Sequence, residues 1–519
     1  MAAFWLILLL LVACLVMKIA IEIISVYWLT PRRIRLAMEK QGVRGPRPSF
    51  LVGNLFHMAA LVKETTSSDL VSVHHDIVDR LLPHYVLWSR LYGKRFIYWW
   101  GVEPRMCLSE TELIKELLSA KNSQIFGKSW LQRQGSRHFI GKGLLMANGE
   151  QWLHQRHLAA PAFQADKLKA RETEIEHIGY MIGCTNRALE SLRSRVESGQ
   201  TEVEINECLN QLTADIIART EFESSYEKGK KIFQLLTDLQ LHSSKASQHL
   251  WCPGSRFFPS RYNREIKRLK VEVETLLTEI IQSRREGKEI GRSVSYGNDL
   301  LGLLLTEVDS KKSNINFSTE HLMDECKTFF FAGHETTALL LTWTIMLLAC
   351  NPSWQEKARE EVLQVCQGSP PSADHLSKLP LLNMILNESL RLYPPAALLP
   401  RQAFEDTKLG DLNIPKGLSI WIPVLAIHHS EELWGKDAND FNPERFAAKS
   451  FASGRHFMPF AAGPRNCIGQ AFALMEAKLV LAMFLSSFSF TLSENYRHAP
   501  VYVLTLKPKH GVQIYLKPL

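Results

Sequence analysis

The stretch Phe460-Ala461-Ala462-Gly463-Pro464-Arg465-Asn466-Cys467-Ile468-Gly469 decides the fold of this 519-residue chain. It sets one cysteine in a loop with two glycines and an arginine. The loop runs directly into an apolar helical pattern, Gln470-Ala-Phe-Ala-Leu-Met475-Glu-Ala-Lys-Leu. A cysteine at a helix N-terminus sees the positive end of the peptide dipoles, which favours its thiolate. Arg465, two residues upstream, adds positive charge. The glycines permit a tight turn and a close approach of backbone to a flat object. A thiolate presented this way is a metal ligand or a nucleophile, and nothing nearby in sequence looks like a general base for a nucleophile. The bland alternative is a small buried hydrophobe, the commonest fate of a lone cysteine. That alternative leaves the flanking glycines and arginine unexplained.

A chain of this length buries a large core and fits two or more domains or one large mixed domain. Hydrophobic content of 46% and charged content of 22% are ordinary for a globular protein. The net charge of +8 is a modest basic excess, compatible with a membrane surface, an acidic partner or an anionic substrate. No dense Lys/Arg block or aromatic–basic pattern points to nucleic acid. The nine cysteines are scattered, odd in number and without a C-x-x-C pair. That usage argues against a disulfide framework or a zinc ribbon and favours a reducing compartment.

Ala3 to Met17 is an unbroken apolar run, and the apolar character resumes after Lys18 as far as Leu29. The whole stretch is long enough to cross a bilayer as a helix. Lys18 and Glu22 stand at i, i+4 spacing, where they partly neutralise each other or sit near the interface with Tyr27 and Trp28. A positively charged leader and an A-x-A-like cleavage site are both missing, so an anchor is expected rather than a signal peptide. Arg32, Arg33, Arg35 and Lys40 follow the run and should stay cytoplasmic. The expected layout is a membrane anchor over 1–30, a basic and proline-rich linker over 31–50 containing Gly45-Pro46-Arg47-Pro48, and a catalytic body over 51–519.

The body reads as predominantly α with small β-sheets, an α+β class, without internal repeats. Polar stretches over 283–298 and 309–318 read as exposed loops. Ser318-Thr319-Glu320 starts a helix that should run to about Cys350, where Asn351-Pro352 stops it. The helix is apolar on most sides and should cross the core. Inside it lies Ala332-Gly333-His334-Glu335-Thr336-Thr337, whose polar side chains need partners or water. Gly333 should open space beside the helix, at a propensity cost of about 1 kcal/mol. His334-Glu335 is not part of a zinc H-E-x-x-H motif, because the fifth position is Ala338. Leu412 to Ile422 and Val501 to Leu506 read as strands. Glu388 and Arg391 form an i, i+3 acid–base pair which on a surface is worth about 0.3 kcal/mol, but here its setting is apolar. Asn442-Pro443-Glu444-Arg445-Phe446 follows downstream. Trp152 and Arg156 stand one helical turn apart and, taken alone, are an ordinary amphipathic face.

These segments, in this order, resemble the cytochrome P-450 monooxygenases over essentially the whole chain. The resemblance implies the fold of that family and a haem b whose iron is bound by the thiolate of Cys467. It implies that Thr336 holds the hydrogen-bond network around bound dioxygen and that Glu335 supports a proton relay. Trp152, Arg156, Arg401 and Arg465 are implied contacts of the haem propionates, for which the planar guanidinium fork is suited. Glu388, Arg391 and Arg445 are implied members of a structural triad. The proline-rich segment resembles the hinge that orients membrane-bound members. NADPH and flavins would act through a partner reductase, and the enzyme would sit in the endoplasmic reticulum membrane as a single-pass protein with its catalytic body in the cytosol.

Within that family the chain is similar to the plant cytokinin hydroxylases. The similarity rests on Trp28-Leu-Thr-Pro31-Arg-Arg, Gly127-Lys-Ser-Trp130-Leu-Gln, Phe329-Phe-Phe and Arg497-His-Ala-Pro500. It implies hydroxylation of the trans end of the isopentenyl side chain on isopentenyladenine nucleotides. A related oxidase of a gibberellin or another terpenoid is the alternative substrate reading. A dioxygen-independent isomerase or dehydratase and a non-catalytic haem sensor are alternatives of other classes, both disfavoured by the intact Glu335-Thr336 pair. Phe329, Phe330 and Phe331 offer aromatic faces, but helical spacing sends at least two of them into core packing.

Overall fold

The computed structural model describes residues 2–163, 171–222, 226–247, 260–289, 295–297, 299–310, 317–447 and 456–519. The helices that matter below are α1 (Ala2–Ile24), α2 (Thr30–Glu39), α3 (Gly149–Phe163), α4 (Arg171–Glu197), α5 (Ile205–Phe222) and α6 (Tyr226–Ser247). They continue with α7 (Arg261–Glu289), α8 (Leu300–Ser310), α9 (Thr319–Cys350), α10 (Pro352–Cys366), α11 (Pro380–Leu392) and α12 (Gln470–Ser487). Helix α9 spans 32 residues and is the axis of the body, packed by α5, α11 and α12. It starts after Ser318 and ends before Pro352, as its capping and stop residues dictate. Between Asp324 and Ala349 every residue is buried except Ala332, Gly333 and Thr336. Ala332 and Thr336, one turn apart, share one side of the helix and mark where its middle is least covered.

The strands are short. Five form one sheet in the order β1 (Arg95–Trp100), β2 (Glu103–Leu108), β8 (Ser419–Ile422), β5 (Leu399–Ala403) and β3 (Phe126–Gly127). A second sheet orders β4 (Glu202–Glu204), β12 (Gln513–Pro518) and β9 (Phe488–Leu492). Two hairpins remain, β6 (Thr407–Leu409) with β7 (Leu412–Ile414), and β10 (Pro500–Val503) with β11 (Thr505–Pro508). The single strand expected over 412–422 is therefore two, in different sheets, because Gly417 turns the chain at φ +91°. The strand expected over 501–506 is a hairpin, turned at Leu504 with φ +67°.

The polar stretch from Ser283 is helical as far as Glu289 rather than looped. Its Arg, Glu and Lys residues are good helix formers, and they extend α7 as a solvated surface. Asp309 and Ser310 likewise close α8, while 290–294, 298 and 311–316 lie outside the described residues.

Helix α1 leaves its apolar side chains uncovered, Phe4, Leu9, Leu11 and Val16 among them. It is long and apolar enough to cross a bilayer and fits a membrane anchor. A π-helical turn, Ser25–Leu29, carries the chain into α2. There Ile34 and Met38 are fully buried in a cluster with Ile97, Leu418 and Ile420. Helical structure and core packing thus reach back to Thr30, into the segment whose composition reads as a linker.

Candidate active site

Close packing explains the shape of the Cys467 loop. Gly463 sits at φ +70°, and a β-carbon there would lie 1.8 Å from the Leu118 carbonyl oxygen. The Cys467 amide donates to the Phe460 carbonyl at 2.8 Å, which closes the loop. Helix α12 begins at Gln470, so Cys467 lies three residues before it rather than on its first turn. Cys467 is deep in the fold, yet its side chain is uncovered. Burial raises its thiol pKa, against weaker opposing pulls from the Gly469 amide and Arg156. The expected balance is thus reversed in the protein alone. The guanidinium that acts on the sulfur is Arg156, not Arg465. A thiolate at this depth needs a cation bonded to it.

Four cations gather beside the loop. Arg156 on α3 donates to the Asn466 carbonyl at 2.6 Å and to Asn466 Oδ1 at 2.8 Å, which ties α3 to the residue before Cys467. Arg465 donates to the carbonyls of Ala147 at 3.1 Å and Ser123 at 3.3 Å, and its guanidinium lies 4.2 Å over the buried Trp152 ring. Its Nη2 is buried with no partner. Burial, then Arg401 and Arg156, lower its pKa to about 9. Arg401, buried on β5, is lowered to about 10 by burial, with its Nη1 on the Pro400 carbonyl at 2.9 Å. Lys128 is the fourth, lowered well below the usual lysine range by burial and by the charges of Arg401 and Arg465. Asn148 holds its backbone through bonds of 2.8 and 2.9 Å. Among the described residues no carboxylate pairs with any of the four. Sequence reading missed Lys128, because a lone lysine after Gly127 carries no local signal of burial.

Within Ala332–Thr337, Ala332 and Thr336 lie on the open side of α9, while His334, Glu335 and Thr337 are buried. Thr336 Oγ1 donates to the Ala332 carbonyl at 2.8 Å, which leaves its lone pairs free to accept. Gly333 does not open space. A β-carbon there would meet Ile217 of α5 at 2.8 Å, so the glycine serves close helix packing. Glu335 Oε1 accepts from Thr505 Oγ1 at 3.1 Å and Lys507 Nζ at 3.0 Å, while Oε2 is buried without a partner. Phe329 stacks on Phe163 at 5.2 Å, Phe330 on Phe222 at 4.0 Å, and Phe331 meets Phe139 edge-on at 5.4 Å. All three are core residues, which removes them as an aromatic face for a substrate.

Glu388 and Arg391 are fully buried and paired through two bonds of 2.7 Å. Arg391 also donates to the carbonyls of His428 at 2.9 Å, Ala438 at 2.5 Å and Asp440 at 3.2 Å. Arg445 lies 3.5 Å from Glu388 Oε1 and donates to the Trp434 carbonyl at 2.9 Å and to the Asp437 carbonyl. The three side chains therefore meet, and they join α11 to the irregular segment that precedes the Cys467 loop.

An uncovered cysteine, an unpartnered guanidinium nitrogen and a cation cluster without a counter-charge fit an iron porphyrin with two carboxylates. Fold and donor set together define a haem-thiolate oxidoreductase. The profile of the cytochrome P450 family matches residues 73–514, and the chain belongs to that family. It is accordingly a haem monooxygenase that receives electrons from NADPH through a reductase. Two proteins of Arabidopsis thaliana, each named cytokinin hydroxylase, are 64% and 63% identical to it. The first match covers 97% of this chain and 96% of the relative, the second 98% of both. Cytochrome P-450 709B1 of the same plant is 39% identical over 93% of the chain and 92% of its own length.

Proposed function

We propose that this enzyme hydroxylates the trans end of the isopentenyl side chain of isopentenyladenine-type cytokinins, as nucleotides, to give trans-zeatin forms. The observation that carries this reading is the identity of 64% and 63% to two cytokinin hydroxylases over nearly the whole chain. The net charge of +8 suits a phosphorylated substrate.

Haem, when bound, supplies dioxygen activation and hydrogen abstraction. The chain supplies ligation, proton delivery and positioning. Cys467 would hold the iron and donate electron density towards it. Trp152, Arg156, Arg401, Arg465 and Lys128 would hold the propionates, which relieves the crowding of these clustered cations. Thr336, with lone pairs on the open side of α9, would accept a hydrogen bond beside the reacting oxygen, and Glu335 would pass protons towards it. Glu388, Arg391 and Arg445 would keep α11 and the Cys467 loop in register. We assign the anchor to 1–30 and the catalytic body to 51–519, with the linker segment 31–50 packed onto that body through Ile34 and Met38 and the body on the cytosolic face of the endoplasmic reticulum.

The test is turnover in microsomes with a reductase and NADPH, offering isopentenyladenine, its riboside and its nucleotides. The expected product is heavier by one oxygen, of the trans-zeatin type, and lost in Cys467→Ala. No product from enzyme that keeps the reduced carbon-monoxide Soret band would remove the cytokinin assignment and leave the monooxygenase class.

A further inference from the structure

Glu335 is fastened to a strand far from it in sequence. Its two donors, Thr505 and Lys507, stand two residues apart on β11 and so share one side of that strand. Leu506 between them is tied to α9 and to the loop after α11. Its carbonyl accepts from Trp343 Nε1 at 3.1 Å, and its amide donates to the Pro395 carbonyl at 3.0 Å. Strand β11 is therefore held on its first three residues, beginning directly after the turn. The turn itself is different. Leu504 adopts φ +67° without being glycine, and Val503 and Leu504 keep apolar side chains uncovered. Left-handed backbone at a leucine is rare and clusters at ligand clamps.

The helix geometry gives the clamp a purpose. Adjacent residues on an α-helix point about 100° apart, so Glu335 does not share the direction of Thr336. Without a partner, a flexible glutamate has several rotamers from which to choose. Here Oε1 is pinned by two donors, and Oε2 is left as the one carboxylate oxygen without a bond.

We propose that Lys507 and Thr505 are positioning residues for proton delivery, holding Glu335 so that Oε2 is its relay atom. This rests on the reading of Glu335 as a relay acid. The reaction balances as R–H + O2 + NADPH + H+ giving R–OH + H2O + NADP+. If the proton that releases water is mistimed, the same electrons leave as O2 + NADPH + H+ giving H2O2 + NADP+. Misplacing Glu335 therefore diverts turnover to peroxide.

The experiment compares Lys507→Met, Lys507→Arg, Thr505→Val and Glu335→Gln in microsomes, with the substrate that gives product in the turnover test. Peroxide and product are measured per NADPH consumed, together with the solvent deuterium isotope effect on NADPH consumption and the carbon-monoxide Soret band. The expected result is a peroxide fraction raised about threefold or more in K507M, a larger isotope effect, an unchanged Soret band and recovery in K507R. If K507M does not retain haem, T505V carries the test, since it removes one hydrogen bond and keeps the ion pair. Uncoupling in E335Q with normal coupling in K507M and T505V overturns the positioning role alone. Normal coupling in E335Q overturns the relay reading beneath it. A fall in product matched by an equal fall in the Soret band, with the peroxide fraction constant, means a structural role and also overturns the proposal.

Discussion

Arg465 and Lys128 are half-buried cations without a carboxylate partner among the described residues, and in the proposed function a propionate supplies their counter-charge. Burial and their like-charged neighbours depress both pKa values, and Nη2 of Arg465 bonds nothing. A hydrogen bond to a charged group contributes about 1.5–3 kcal/mol, so removing either donor should weaken haem retention by about tenfold or more. Haem transfer to apomyoglobin should be faster by that factor in Arg465→Met and in Lys128→Met. An unchanged rate in Lys128→Met would take that residue out of the cradle. Glu221 on α5 makes a separate case. Both of its carboxylate oxygens are buried without partners, and burial, then Asp299, push its pKa up to about 8. An unfolded glutamate titrates near about 4.3, so the folded state binds this proton more tightly. The stabilisation is full below that value and is lost as pH rises towards about 8, at up to about 1.4 kcal/mol per pH unit. Glu221→Gln removes the titration. Its urea midpoint should exceed that of the wild type by a margin that grows from pH 5.5 to 8 and then levels. Equal midpoints across that range would show that Glu221 does not titrate with folding.

At the scale of elements, helix α11 and the segment Asp437–Arg445 are joined by a buried ion set. Removing the Glu388 carboxylate leaves Arg391 buried without a counter-charge, while Arg445 keeps Asp437, and breaking a buried pair in this way costs about 3–5 kcal/mol. Glu388→Gln should melt at lower temperature and lose its carbon-monoxide Soret band on mild warming, with the anchor still in the membrane. An unaltered melting temperature would mean that the carbonyls around Arg391 carry the joint by themselves. The pair Glu388 and Arg391 was legible from its spacing. Its carbonyl partners at His428, Ala438 and Asp440 were not, because they depend on how an irregular segment folds back. Helix α9 was legible at both ends, since Ser318 and Pro352 act through local sterics and hydrogen bonding. The turn at Leu504 was not, because leucine at positive φ is held by the surrounding fold and has no propensity signal. Gly333 was legible as a missing side chain but not as to which neighbour fills the space, and that neighbour is Ile217.

At the scale of the molecule, the order of motifs gave the family and the donor set around Cys467, since each motif states a local chemical need. The cation cluster was legible in part. The resemblance grouped Arg156, Arg401 and Arg465, but only the assembled fold brings Lys128 to them. The N-terminus shows the same division. The apolar run was plain in the sequence, but not the point at which a helix stops facing lipid and starts facing core. Ile34 and Met38 place α2 inside the body, and Gln41 exchanges bonds of 2.9 and 2.7 Å with the backbone of Asn413. Deleting 2–24 removes a largely apolar helix whose described side chains are all exposed. Deleting 2–40 also removes two fully buried side chains, each worth about 2–5 kcal/mol. The shorter deletion should shift the enzyme towards detergent-free extraction while its Soret band and melting temperature hold. The longer one should extract with a lowered melting temperature and partial loss of the band. If both deletions melt alike, α2 adds nothing to the core, and the body begins after residue 40.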